Sequence, residues 1–155
     1  MNCTTNVSPI PAGPRLTPYL AVSDAAEAIE FYIGVLGMRE VSRMQMDDGR
    51  VGHAELAIGN ARVFLSDEFP EMGVQGPNTR GGTTVSLHLY VADIDGVVVA
   101  ALAAGATQHG ETKDEFHGDR SAKLVDPWGH RWMLASRIEE VSAEEVERRF
   151  AAAGH

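Results

Sequence analysis

The chain has 155 residues, enough for one domain or two small halves on a shared core, and a fold of this size buries roughly 70 % of its unfolded surface without help from a metal or disulfide. It carries 13 basic and 22 acidic residues, a formal charge of -9, with no face that collects Lys and Arg, which argues against a nucleic-acid partner. The single cysteine, Cys3, has no internal disulfide partner and suits a reducing, cytoplasmic setting; neither a secretory start nor a membrane-length apolar run is read in the sequence.

Residues 1–15 hold three prolines and almost no periodic apolar signal, so they read as an extended leader. A strand follows, with Leu16, Pro18, Leu20 and Val22 on one face and Thr17, Tyr19 and Ala21 on the other. Asp24, with Glu27 three residues on, predicts a helix start, and Ala25, Ile29, Ile33 and Leu36 form its apolar stripe up to Gly37. Three strands are expected over 38–46, 51–58 and 61–66, with turns at Asp47-Asp48-Gly49 and Gly59-Asn60. Residues 67–82, rich in Pro, Gly and Asn, read as a linker or lid.

The second half repeats that order. Leu87, Leu89 and Val91 alternate with Ser86, His88 and Tyr90 in a strand that ends before Asp93, so aligning Asp24 with Asp93 matches Tyr19 with His88 and Thr17 with Ser86. Val97-Val98-Val99 favours strand on propensity, but the Asp93 cap and the helical spacing of Ile94, Val97, Val98 and Ala101 predict a helix. Strands are expected over 107–112, 120–125 and 131–136, and Ser142 with Glu145 starts a last helix whose stripe is Val146, Arg149, Phe150 and Ala153. The fold class is therefore α+β, with two βαβββ repeats and a C-terminal helix. Its parts are a leader (1–15), two modules (16–66 and 83–137) joined by a linker (67–82), and a C-terminal helix (138–155).

One strand face in each half packs; the other is polar and aromatic enough to meet a ligand. His88 shares the polar face with Ser86, as a ligand contact or as a histidine bonded to a neighbouring strand. His53 and Glu55 lie one pleat apart on one face, an arrangement that suits acid–base work and is equally what a half-exposed strand shows. Arg120 is either a fork for a carboxylate or phosphate or the partner of Asp119 or Asp126 in a turn. Tyr19, Phe64, Tyr90 and Met133 are candidates for an apolar wall against a flat ligand, whereas Trp132 reads as core.

The doubled order, the VSDAAEAIEFYIGVLGM segment, the VADID start and the DPWGHRW turn resemble the glyoxalase, bleomycin-resistance and extradiol-dioxygenase superfamily over residues 16–137. Within it GHAELAIG, FLSDE and HGDR are most similar to a branch named after a phosphonate-utilisation operon. The resemblance implies curved mixed sheets with a ligand cup, a homodimer with two such cups, and in metal-using members one divalent ion, Zn, Ni, Fe or Mn, held by four side chains. The corresponding positions here are Thr17, Val63 or Phe64, Ser86 and Met133, and none is His or Glu, so no metal or other cofactor is expected.

The reading is a homodimeric small-molecule binder, resembling the superfamily's metal-free antibiotic-sequestering members, with ligand contacts at Tyr19, His53, Glu55, Phe64, Ser86, His88, Tyr90, Arg120 and Met133. The acidic balance points to a cationic ligand of the bleomycin type. The alternatives are a lyase, isomerase or group-transfer enzyme using His53, Glu55 and His88, with or without a divalent ion, and a scaffold with a vestigial cup.

Overall fold

In the computed structural model, which describes residues 7–154, the two aspartates expected to start helices do so. Asp24 Oδ1 accepts from Glu27 N at 3.0 Å and opens α1 (Ala25–Gly34); Asp93 Oδ1 accepts from Gly96 N at 3.1 Å and opens α3 (Ile94–Ala103). Such a cap stabilises a helix by about 1 kcal/mol. With Ile94, Val98 and Ala101 buried, it overrides the strand preference of the valine run.

The first sheet has the order β1 (Tyr19–Val22), β4 (Ala61–Asp67), β3 (Val51–Ile58), β2 (Arg39–Gln45), with β1 parallel to β4 and the other pairs antiparallel. The second has the order β5 (Ser86–Tyr90), β9 (Arg131–Arg137), β8 (Asp119–Val125), β6 (Thr107–Gln108), with β7 (Lys113–Asp114) also on β8. β5 runs parallel to β9, as β1 does to β4. The expected strand over 107–112 is thus cut to Thr107–Gln108, and a second short piece, Lys113–Asp114, follows it. Gly110 takes a φ of 76°, and Gln108 Nε2 donates to Thr112 Oγ1 at 3.0 Å, which turns the chain between them.

One apolar core joins the halves. Leu20, Val22, Leu56, Val63 and Leu65 of the first sheet meet α1, and Leu124, Trp132 and Leu134 of the second share the same cluster. The helical stripe differs from the expected one: α1 buries Phe31 and Tyr32, while Ile33 is half-buried. The reason lies in the other half, where Trp128 and Trp132 stack edge-on or tilted against Tyr32 at 6.0 and 5.5 Å. Asp126, 4 % exposed, accepts from Tyr32 Oη (2.6 Å), Trp132 Nε1 (2.9 Å) and the backbone N–H groups of Trp128 and His130 (3.0 Å each). A buried carboxylate with four donors is fully satisfied, so it fastens the halves instead of weakening them.

β4 runs one residue into the expected linker, and residues 68–82 form a strap held at several points, including a single 3-10 turn at Pro70–Met72 and α2 (Pro77–Arg80). Glu68 accepts from Gly76 N and Thr79 Oγ1, both at 2.6 Å, and these bonds hold its carboxyl below the usual range. Asn78 Nδ2 donates to Pro127 O at 2.9 Å and ties the strap to the second half. At the C-terminus α4 (Ala143–Ala152) starts at Ser142, whose Oγ accepts from Glu145 N at 3.2 Å. Its Arg149 reaches Phe116 O (3.1 Å) and Glu139 (2.8 Å), and Phe150 packs on Phe116, so this helix covers the turn between β7 and β8. Cys3 lies outside the described residues. No helix among the described residues is long and apolar enough to cross a membrane.

Candidate functional site

Strand parity leaves one face of each sheet turned away from the core. On the first sheet that face carries Tyr19 of β1, Phe64 of β4 and His53 and Glu55 of β3, while Leu20, Val63, Leu65, Ala54 and Leu56 are buried behind it. Phe64 stands opposite Tyr19 on one side and Glu55 on the other. The rings of Tyr19, His53 and Phe64 make a triangle with centroid distances of 5.5, 5.8 and 5.0 Å. Tyr19 Oη and His53 Nδ1 share a hydrogen bond of 2.7 Å, and burial pushes the Tyr19 hydroxyl above its ordinary value. Glu55 accepts from Arg62 Nε at 3.0 Å. The two members of the candidate acid–base pair are therefore engaged by different partners.

Beside this triangle lies a groove of about 550 Å³ whose walls include Tyr19, Met46, Phe69, Met72 and Val74. Phe69, Met72 and Val74 belong to the strap, so residues 68–82 wall the site as well as connecting the halves. Arg50 fixes that wall: its guanidinium lies 4.1 Å from the Phe69 ring centroid and 2.9 Å from Glu71. Sequence reasoning had no reason to choose Met46, Phe69, Met72 or Val74. Their role depends on the strap folding back over β1 and β4, which no local pattern encodes.

On the second sheet Ser86, His88 and Tyr90 of β5 lie opposite Arg131, Met133 and Ala135 of β9, and Lys123 of β8 lies opposite Met133 from the other side. His88 and Tyr90 pack with centroids 5.0 Å apart. Tyr90 Oη donates to Asp119 Oδ2 and Arg137 Nε to Asp119 Oδ1, both at 2.7 Å. Burial pushes the Asp119 carboxyl up, but the bonds from Tyr90 and Arg137 outweigh it and hold the group below its usual range.

Arg120 departs from the expected placement. It pairs with Ser136 on the helix-facing side of β8, and its guanidinium donates to Asp95 of α3 at 3.1 Å and to Asp114 of β7 at 2.8 Å. Those bonds raise its already high pKa. Neither Asp119 nor Asp126 is its partner; those carboxylates are taken by Arg137 with Tyr90 and by the Tyr32 network. Arg120 belongs to the packing of α3 on the sheet and not to the open face.

Register also separates Val63 from Phe64. Tyr19 opposite Phe64 reproduces His88 opposite Met133, and Val63 is buried on the helix side. The four positions at which the superfamily resemblance implies metal ligands are thus Thr17, Phe64, Ser86 and Met133. Two hydroxyls, a phenyl ring and a thioether do not suit a divalent ion of the Zn, Ni, Fe or Mn type. His88 lies on the other sheet from His53 and Glu55, and among the described residues no group of three or more His, Cys, Asp or Glu side chains is placed to hold a metal.

The family model of the glyoxalase/bleomycin resistance protein/dioxygenase superfamily matches residues 15–134. An uncharacterised protein of Mycobacterium bovis is 38 % identical over 144 residues, covering 91 % of this chain and 95 % of its own. The crystal structure of TioX from Micromonospora is similar with a TM-score of 0.61 and 26 % identity, over 81 % of this chain and all of TioX. The fosfomycin resistance protein FosX of Listeria monocytogenes, in complex with Mn(II) and sulfate, shares the fold at a TM-score of 0.62 and 15 % identity, over 90 % of this chain and 98 % of its own.

Proposed function

Because the chain belongs to the glyoxalase/bleomycin resistance protein/dioxygenase superfamily, we propose that it is a member that binds a flat, mainly apolar small molecule without a metal ion, in cups completed by a second copy of the chain. The observation that carries this reading is the pair of open sheet faces. Tyr19, Tyr90 and Met133 are 55, 51 and 39 % exposed, although the opposite faces of their strands, with Leu20, Trp132 and Leu134, are buried. Exposed aromatic and thioether groups on two register-matched faces mark a surface that needs a ligand or a partner to cover it. Methionines at the rim add an adaptable wall. Such a protein protects by mass action, holding a metabolite or antibiotic intact, and its acidic, cysteine-poor composition suits the cytoplasm.

Sedimentation equilibrium combined with fluorescence titration of the neutral aromatic probe N-phenyl-1-naphthylamine tests this. The expected result is a dimer that takes up the probe stoichiometrically, releases it chemically unchanged, and loses it on Phe64→Ala. A monomer that ignores the probe refutes the reading. Elemental analysis of protein purified without chelator is expected to find no stoichiometric divalent ion.

A second reading has its own observation, the 2.7 Å bond between Tyr19 and His53 beside the groove. A phenol and an imidazole in contact form a proton relay, which a lyase or isomerase with Glu55 and His88 would use. Turnover that disappears with Glu55→Gln or His88→Ala, in protein that still folds, would favour the enzyme.

A further inference from the structure

We propose that the open face of the second sheet carries an anion seat, formed by Lys123 and Arg131 around Met133, and that the ligand of this cup bears a carboxylate, phosphate or sulfonate. The inference rests on the small-molecule reading above and assigns its ligand class. It replaces the cationic ligand suggested by composition.

In a chain with 22 acidic residues, cations find partners easily, and Arg62, Arg120 and Arg137 on these two sheets each hold a carboxylate. Lys123 and Arg131 do not. Among the described residues neither makes a hydrogen bond or ion pair through its side chain. Both are exposed, and register puts both on the open face: Lys123 is directly opposite Met133, and Arg131 precedes Met133 by one pleat, opposite Ser86. Diagonal neighbours of this kind have backbones about 7–8 Å apart, so two long side chains converge on one small group.

Two like charges so placed repel, and the carboxylates along this face of β8 are engaged elsewhere, Glu115 by Lys113 and Ser121 and Asp119 by Arg137 and Tyr90. Ser86 and His109 complete the surroundings. With Lys123, Arg131 and Met133 they line a hollow of about 100 Å³, and a wider one of about 620 Å³ shares Arg131 and His109. An ammonium, a planar guanidinium fork and a hydroxyl supply the donors that a tetrahedral or planar oxyanion accepts. The net charge of the chain opposes an anion only at range, since charges beyond about 8 Å are screened at physiological salt and the two contact cations are not. The ligand class is therefore a flat apolar body with an acidic head.

Two probes with the same aromatic body separate the contributions: 8-anilino-1-naphthalenesulfonate, which bears the anion, and N-phenyl-1-naphthylamine, which does not. Each is titrated into the intact protein and into a Lys123→Gln/Arg131→Gln double variant, whose changes fall at exposed strand positions. The expected result is a loss of about tenfold in sulfonate affinity in the double variant with the neutral probe and the oligomeric state unchanged. Equal affinities for the sulfonate in both proteins overturn the anion seat and leave the cup standing. So does a double variant that loses its dimer, because the two cations then pair with carboxylates of the second copy. Failure of both probes to bind the unmodified protein would overturn the cup reading and the seat together.

Discussion

Replacing Tyr32 with phenylalanine removes one hydroxyl from the junction of the halves and keeps the ring. The Tyr32 side chain is fully buried, and its Oη donates to the Asp126 carboxylate at 2.6 Å. Asp126 keeps three other donors, Trp132 Nε1 and two backbone N–H groups, so the variant leaves no orphaned charge. A hydrogen bond to an ionised group contributes about 1.5–3 kcal/mol, and about 2 kcal/mol is expected here at neutral pH. The pH dependence is the sharper test. Burial first, then the adjacent Asp126 charge, pushes the Tyr32 hydroxyl well above its ordinary value of about 10, so it stays neutral in the fold while the unfolded chain ionises. A raised folded-state pKa means that the contribution is complete below pH about 10 and is lost as pH climbs above it. At pH 11 the gap between the parent protein and Tyr32→Phe should narrow by about 1.4 kcal/mol. Urea denaturation followed by tryptophan fluorescence at pH 7.5 and pH 11 measures both quantities. A neutral-pH difference below about 0.5 kcal/mol, or a gap that does not change with pH, would refute the account of the junction.

Other substitutions probe the parts around it. Arg120→Ala removes contacts to Asp95 and Asp114 on the helix side and should leave the affinity for either naphthalene probe unchanged; a large loss would put Arg120 back among the ligand contacts. Gly118 has a φ of 96° and lies against the Glu139 carbonyl, so Gly118→Ala should cost about 3 kcal/mol and expose residues 138–142 to protease. In Gly52→Ala the new methyl would stand 2.9 Å from Met46 Sδ. The flexible thioether yields, so stability should change by less than about 1 kcal/mol, whereas affinity for the neutral probe should shift several-fold because Met46 walls the groove. An unaltered affinity there would separate that groove from the ligand site.

Much of the architecture was legible because it is local. Caps at Asp24, Asp93 and Ser142 depend on a side chain three residues from its donor, and face assignment depends only on strand parity. Parity put Tyr19, His53, Glu55, Phe64, Ser86, His88, Tyr90 and Met133 on the two open faces. Parity also puts Arg131 one pleat from Met133 on the second open face. The residues placed differently by the structure share another property. Arg120 chose Asp95 and Asp114 over Asp119 and Asp126, and α1 turned Phe31 and Tyr32 inward, because the deciding partners lie on other elements.

From the sequence alone came the doubled unit, most of its elements, the two faces of each strand and the absence of His or Glu at the implied ligand positions. These follow from backbone period and from side-chain chemistry, which a chain carries at every residue. Only the tertiary structure decided which charges neutralise each other, that the strap walls the first groove, and that Lys123 and Arg131 are left without a carboxylate. Pairing is a competition among groups brought together from distant parts of the chain, and its outcome exists only once the sheets, helices and strap are in place.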